Sequence, residues 1–168
     1  DLDLALDGVL WGAFGTTGQR CTATSRLLLH KKVHDRFLRM LVDRVEKLRL
    51  GDGLLPTTDV GPMINEPALK NTADYVEIGL AEGAEMLTGG RRAGGARLKH
   101  GFFFKPTVFA GVRAGSRLEQ EEIFGPVLSV VRIASLEHAI RVNNGVRYGL
   151  SSSLYTRDVN AAFRAIED

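Results

Sequence analysis

Apolar side chains recur at helical spacing along several stretches of this chain. The first stripe predicts an amphipathic helix over residues 2–13 and consists of Leu2, Leu6, Val9, Leu10 and Ala13. We expect Trp11 and Phe14 to pack in the core beside that helix. A second stripe predicts a long helix over residues 33–48, ended by Gly51. A third predicts a helix that begins at Pro67 and stops at Gly83.

Shorter apolar runs between these helices predict strands. Strands are predicted over residues 27–29, 85–88, 127–133 and 151–155, of which 127–133 is the clearest, and residues 102–109 are predicted to form an apolar extended segment.

Two further helices are predicted in the last third of the chain, one capped by Ser135 and one by Asp158. Strands that alternate with helices are typical of an α/β fold, in which a mainly parallel sheet carries helices on both faces.

The composition narrows the class of protein further. The chain has 168 residues, 44% hydrophobic and 25% charged, which is ordinary for a single globular domain. Its net charge of +2 is too small to indicate a nucleic acid or membrane partner. No signal peptide and no apolar run of transmembrane length is visible. A single cysteine favours a reducing, cytoplasmic location, and the lack of Cys and His clusters argues against a metal site.

Cys21 is the strongest candidate for chemistry. It ends the run Phe14-Gly15-Thr16-Thr17-Gly18-Gln19-Arg20-Cys21, whose small residues let a substrate approach the backbone. The neighbouring Arg20 favours a thiolate electrostatically. A lone cysteine is more often a small buried hydrophobe, and no histidine lies nearby in sequence as a base. The residues alone therefore leave a catalytic role open.

A second segment of interest is Glu121-Glu122-Ile123-Phe124-Gly125-Pro126-Val127, a carboxylate pair at a Gly-Pro turn that opens a strand. Acidic pairs before turns are usually just solvated. The functional interpretation depends on whether this segment and Cys21 belong to one site.

Both segments resemble motifs of one family. The stretch from Phe14 to Arg26 resembles the cysteine signature of the NAD(P)-dependent aldehyde dehydrogenase superfamily, and Glu121 to Val127 resembles its cofactor-facing motif. Gly61-Pro62 and residues 149–154 match in the same order, so the resemblance covers nearly the whole chain.

The resemblance implies a role for three residues. Cys21 would be the nucleophile, which forms a thiohemiacetal and then a thioester as an aldehyde or semialdehyde becomes a carboxylic acid. Glu122 would accept hydrogen bonds from the nicotinamide ribose hydroxyls of NAD or NADP. Phe124 would pack near the nicotinamide ring, and Glu121 receives no role.

The resemblance also bears on domain organisation. The chain starts at Asp1 and ends at Asp168, in both cases within a predicted helix. Residues 1–168 are expected to be the cysteine-bearing catalytic domain, truncated at both ends, with the dinucleotide-binding domain absent. The family's general base and oxyanion amide would lie upstream, so we expect the chain alone to be inactive and to form a homo-oligomer.

Two alternatives stay open. In an acylating dehydrogenase the thioester passes to coenzyme A instead of water, and sequence upstream of Asp1 would distinguish that case through the glutamate base. In a non-catalytic alternative the chain only folds and associates, and an activity assay would separate it from an enzyme.

Overall fold

A four-stranded mixed sheet forms the centre of the molecule, as seen in a computed structural model that describes residues 1–95 and 98–167. The strands are β1 (Arg26–His30), β2 (Glu85–Thr88), β3 (Thr107–Ala110) and β4 (Val127–Ile133), in the order β1-β4-β3-β2. Strands β1 and β3 both run parallel to β4, whereas β2 pairs antiparallel with β3. The predicted mainly parallel sheet is confirmed.

Helices cover both faces of this sheet, also as predicted. They are α1 (Leu2–Phe14), α2 (His34–Glu46), α3 (Glu66–Ala81), α4 (Arg117–Gln120), α5 (Leu136–Asn144) and α6 (Val159–Glu167). Because side chains alternate along a strand, β4 contributes to two cores. Leu128 and Val130 join the core under α1 and α2, while Val127 and Val131 join the core under α3, α4 and α5.

The first helix buries the predicted stripe but not its tryptophan. Leu6, Leu10 and Phe14 are buried, whereas Trp11 is 62% exposed. The expectation that Trp11 packs in the core is therefore wrong. Trp11 stands seven residues after the exposed Leu4, so the two form a second apolar stripe on the outer face of α1.

The predicted strand over residues 151–155 is also wrong, because this segment is irregular and exposed. A strand needs a neighbour to satisfy its backbone, and within the described residues the segment pairs with neither β1 nor β2 at the sheet edges. The helix after it forms as predicted. The Asp158 carboxylate accepts a hydrogen bond from the Asn160 backbone N–H at 2.9 Å, which caps α6.

Helix α6 lies on the outside of the molecule. None of its described side chains is buried, and an ion pair of 2.9 Å between Arg164 and Glu137 joins it to α5. Among the described helices, none has both the length and the apolar character needed to cross a membrane.

Candidate active site

The cysteine segment and the Glu121–Val127 segment both lie at the amino-terminal ends of the parallel strands, which we call the site edge of the sheet. The cysteine segment leads into β1, and the Glu121–Val127 segment leads into β4. Because β1 and β4 are adjacent and parallel, with Arg26 opposite Ser129, the residues just before them lie side by side.

A backbone contact between glycines joins the segments. A Cβ atom added to Gly18 would collide with the carbonyl oxygen of Gly125 and lie 3.0 Å from the nitrogen of Pro126. Gly18 also has a φ of +67°, a backbone conformation that residues other than glycine rarely adopt. Glycine at position 18 therefore allows the cysteine loop and the Gly-Pro turn to share one site.

Backbone strain flanks this contact on both sides. Within the described residues, Thr17 and Phe124 are the non-glycine residues with positive φ, each at 57°. Such strain is uncommon, especially for a β-branched threonine, and it clusters at functional sites. The buried Thr17 hydroxyl donates to the Gly61 carbonyl at 3.2 Å, which holds the strained turn in place.

The side chain of Gln19 fixes the cysteine loop to the 61–64 segment. Its Nε2 donates to the Pro62 carbonyl at 3.2 Å, and its Oε1 accepts from the Ile64 N–H at 2.9 Å. In the sequence, Gly61-Pro62 matched the family pattern, but its role there was not evident. The structure supplies one, because this segment receives hydrogen bonds from both Thr17 and Gln19.

Cys21 lies in an exposed turn, so its thiol is open to a reagent or substrate. The turn is closed on its far side by a hydrogen bond from the Ala23 N–H to the Arg20 carbonyl at 2.9 Å and by one from the Thr24 N–H to the Gly12 carbonyl at 3.0 Å. An exposed thiol held by a hydrogen-bonded turn is suited to nucleophilic attack on an electrophile.

Arg20, directly before the cysteine, stacks on the exposed Trp11. The guanidinium carbon lies 4.2 Å from the centroid of the indole ring. This pair was not predicted from the sequence, because Trp11 was expected to lie in the core. The signal that could have found it is the seven-residue spacing of Leu4 and Trp11, which places Trp11 off the buried stripe.

The two neighbouring glutamates have different environments. The Glu121 carboxylate accepts hydrogen bonds from Arg117 at 2.9 and 3.0 Å and from the Tyr75 hydroxyl at 2.8 Å. The Arg117 guanidinium, followed by the Tyr75 hydroxyl, lowers the pKa of Glu121 to about 2. Glu121 therefore anchors the segment, whereas Glu122 is exposed and forms no ion pair with any described residue.

Helix α3 holds the Gly-Pro turn from the other side. The Asn71 side-chain amide donates to the Ile123 carbonyl at 3.1 Å. A Cβ atom on Gly125 would collide with the hydroxyl of the buried Thr72, so the turn lies directly against α3. Above this support, Phe124 presents its ring outward and is 46% exposed.

The arrangement brings together the three residues singled out from the sequence, in two segments at one sheet edge. Cys21 offers a nucleophile, Glu122 offers a carboxylate that can accept hydrogen bonds from hydroxyl groups, and Phe124 offers an aromatic face. Their roles stay predictions.

His30 and His138 lie away from this end of the strands. His30 ends β1, and its Nε2 contacts the Ala134 carbonyl at 3.0 Å beyond the end of β4. The Nδ1 of His138 accepts from the Ala134 N–H at 3.2 Å. Both rings therefore lie at the carboxyl ends of the parallel strands, opposite Cys21. No group of three or more His, Cys, Asp or Glu side chains in the described part of the chain could hold a metal ion.

Comparison with known proteins identifies a single family. The model of the aldehyde dehydrogenase family matches residues 1–168. Alpha-ketoglutaric semialdehyde dehydrogenase from Bacillus subtilis is 35% identical over 168 residues, which is 100% of this chain and 34% of that protein. Betaine aldehyde dehydrogenase from the same organism is 40% identical over 164 residues, or 98% of this chain and 34% of that protein.

Solved structures agree with these relatives. Betaine aldehyde dehydrogenase from Staphylococcus aureus, crystallised in complex with NAD+, superposes with a TM-score of 0.97 at 36% identity, covering 99% of this chain and 33% of that one. HpcC from Thermus thermophilus gives a TM-score of 0.95 at 42% identity, covering 98% and 33%. The chain thus spans about a third of the length of the curated relatives it matches.

Proposed function

The chain belongs to the aldehyde dehydrogenase family, and from that premise we propose that it is the cysteine-bearing part of an NAD(P)-dependent enzyme that oxidises an aldehyde to a carboxylic acid. The observation that carries the proposal is the backbone contact between Gly18 and Gly125. Because of that contact, the loop that carries the exposed Cys21 thiol lies next to the turn that carries the exposed Glu122 carboxylate.

The proposed chemistry starts at Cys21. Its thiolate attacks the carbonyl carbon of the aldehyde, a carbon–sulfur bond forms, and the carbonyl electron pair moves onto oxygen. The backbone N–H of Cys21 is suited to donate a hydrogen bond to that oxyanion. Bound NAD(P) would supply the acceptor for the substrate hydride. A thioester on Cys21 is then hydrolysed to release the carboxylic acid and regenerate the thiol.

The side chains of Glu122 and Phe124 fit a nicotinamide riboside, as a hydrogen-bond acceptor and an aromatic surface. Glu122 is exposed and lacks a competing cation, so both of its oxygens can accept hydrogen bonds from neighbouring hydroxyl groups. Glu121 cannot serve in that way because Arg117 and Tyr75 already occupy its carboxylate. The exposed ring of Phe124 offers an apolar surface to the nicotinamide. The NAD+ complex of the Staphylococcus aureus relative supports this assignment.

We also propose that the 168 residues alone do not turn over an aldehyde. The chain spans about a third of its relatives, and His30 and His138 lie at the opposite ends of the strands from Cys21, too far to activate water there. A base, a second oxyanion donor and most of the dinucleotide site would come from other parts of a full-length subunit. Purified chain with NAD(P) and simple aldehydes is expected to give no increase in NAD(P)H absorbance, which reports hydride transfer.

Two chemical classes of substrate appear in the names of the relatives. Some are named for semialdehydes of organic acids, which carry a carboxylate, and others for betaine aldehyde, which carries a quaternary ammonium. A site beside Cys21 that prefers one charge would exclude the other.

The proposal is tested by two substitutions in the full-length subunit. Cys21→Ala should abolish aldehyde oxidation while the fold is retained, because a covalent nucleophile has no substitute. Glu122→Gln should slow hydride transfer by about 10- to 100-fold, since one charged hydrogen-bond partner contributes roughly 1.5–3 kcal/mol. Its thiol should still react with iodoacetamide at the wild-type rate.

Glu85→Gln, an exposed carboxylate on the edge strand β2, serves as the matched control and should change neither rate. Retention of more than a few per cent of the activity by Cys21→Ala would overturn the assignment of the nucleophile. Unchanged cofactor affinity and hydride transfer in Glu122→Gln would remove that residue from the cofactor site.

A further inference from the structure

We infer that Arg20 is a substrate-binding residue that recognises a carboxylate, so that the enzyme prefers oxo acids, aldehydes with a carboxylate at the other end of a short carbon chain. The inference rests on the proposed function of Cys21, because it places the recognised group next to that nucleophile. Four observations around Arg20 carry it.

The first observation is the position of the guanidinium. Arg20 directly precedes Cys21, and its guanidinium lies over the ring of Trp11 at 4.2 Å. A stacked guanidinium uses its flat face on the ring, which leaves the N–H groups along its rim free to point at another partner. Those N–H groups match the two oxygens of a carboxylate.

The second observation is that the charge of Arg20 is not neutralised. Other arginines, among them Arg26, Arg49 and Arg117, each have a carboxylate within ion-pair distance. Across residues 1–95 and 98–167, no carboxylate lies within ion-pair distance of Arg20.

The third observation is an orphaned donor. The Nε atom of Arg20 is buried and has no hydrogen-bond partner. A shielded donor without a partner is costly and calls for an explanation. A cation that is partly withdrawn from water and lacks a counter-charge attracts an incoming anion more strongly than a fully solvated one does.

The fourth observation concerns the surface around the thiol. Gly15, Thr16 and Thr22 are exposed close to Cys21 in the chain, and all three are small and neutral. Gly15 also leaves the indole of Trp11 open, because a Cβ there would lie 3.3 Å from its Cδ1 atom. The charge nearest the nucleophile in sequence is therefore positive.

A pair of alkylating reagents tests the inference on the 168-residue chain itself, without catalysis. Iodoacetate carries a carboxylate and iodoacetamide does not, while both react with Cys21 by the same displacement. Arg20→Met should lower the ratio of the iodoacetate rate to the iodoacetamide rate by about five-fold or more, as expected for one charge about 4 Å away in water. Using the ratio cancels any effect of Arg20 on the reactivity of the thiol.

Two further variants sharpen this measurement. Arg20→Lys should restore part of the ratio, because it keeps the charge but loses the planar stack. Arg36→Met removes an exposed arginine on α2 and should leave the ratio unchanged. A ratio that does not respond to Arg20→Met would overturn the inference.

Steady-state kinetics of the full-length subunit supply a second readout. The wild type should prefer 4-oxobutanoate over butanal, a neutral aldehyde of the same chain length. Arg20→Met should raise KM for 4-oxobutanoate by about 10- to 100-fold with little change in kcat, the loss expected for one charge-assisted hydrogen-bond pair. The kcat/KM for butanal should fall much less, and the ratio of the two kcat/KM values cancels any effect of Arg20 on the thiol itself.

Equal losses for both aldehydes would contradict carboxylate recognition and point to a general effect on the thiol. Failure of the proposed function is distinguishable from this result. In that case Cys21→Ala would remain active, while the alkylation ratio would still report on Arg20.

Discussion

Gly18 is the residue on which the geometry of the candidate site depends most directly. It combines a φ of +67° with a backbone contact to Gly125, so two separate reasons exclude a side chain there. Thr17 and Phe124 accept positive φ angles on either side of this contact. Neighbouring residues thus tolerate strain while Gly18 provides the close approach.

Gly18→Ala is therefore expected to be damaging. The left-handed conformation alone costs an alanine roughly 1–2 kcal/mol, and the collision with the Gly125 carbonyl adds to that cost. We expect a lower melting temperature of the chain and an altered rate of Cys21 alkylation, measured by thermal denaturation and iodoacetamide labelling.

Gly53→Ala is the matched control, because an added Cβ at position 53 meets no atom within 4 Å. It should leave both measurements unchanged. A Gly18→Ala chain with wild-type stability and alkylation rate would show that the segments do not depend on this contact.

At the same scale, the sequence predicted some residues better than others. It identified Cys21, Glu122 and Phe124 as candidates, and the structure places all three at one edge. It could not show that Glu121 is held by Arg117 and Tyr75, because Tyr75 lies 46 residues away in the chain. It also misplaced Trp11, since hydrophobicity alone does not tell which of two apolar stripes on one helix is buried.

At the scale of secondary-structure elements, one buried ion pair connects three of them. Arg26 in β1 pairs with Glu119 in α4, and the Glu119 side chain is fully buried. The same guanidinium donates to the Val142 and Asn143 carbonyls near the end of α5, each at 3.0 Å. The pair therefore links the strand after Cys21 to the helix before Glu122.

Breaking this pair should destabilise the fold. Glu119→Gln leaves the Arg26 charge without its carboxylate, and loss of one partner in a buried pair typically costs about 3–5 kcal/mol. Urea denaturation of the chain should show that loss. Asp74→Asn breaks an exposed pair with Lys70 on α3 and should cost at most about 1 kcal/mol. Similar losses for both variants would contradict a special role for Arg26 and Glu119.

Elements with strong local signals were predicted well from the sequence. The strand Val127–Ile133 and the caps Ser135 and Asp158 are found as expected. The predicted strand over residues 151–155 is absent because a strand depends on a partner, and its own composition says nothing about whether a neighbouring edge is available to it.

At the scale of the whole molecule, apolar surface is concentrated near the carboxyl end of the described chain. Exposed large hydrophobic residues gather there, namely Leu150, Leu154, Tyr155, Val159, Phe163 and Ile166. Helix α6 buries none of its described side chains. Exposed apolar patches of this kind favour association with another surface.

We therefore expect the 168-residue chain to self-associate. Light scattering should give a mass above that of a monomer, rising with concentration. Phe163→Asp, in the middle of α6, should shift the chain toward the monomer because it places a charge within the patch. Leu54→Asp is the matched control, since Leu54 is 90% exposed in a loop outside the patch. A wild-type chain that stays monomeric at high concentration would contradict this expectation.

The glycine contact has a consequence for how an enzyme of this kind can evolve. Because the close approach of Gly18 to Gly125 involves main-chain atoms only, it does not depend on the side chains of Arg20 or Trp11. In the proposed enzyme, substitutions at Arg20 or Trp11 would then change which aldehydes bind while the position of the thiol stays the same. We expect single substitutions near the thiol to change the preferred substrate during evolution, whereas a substitution at Gly18 would disrupt the site and end activity on any substrate.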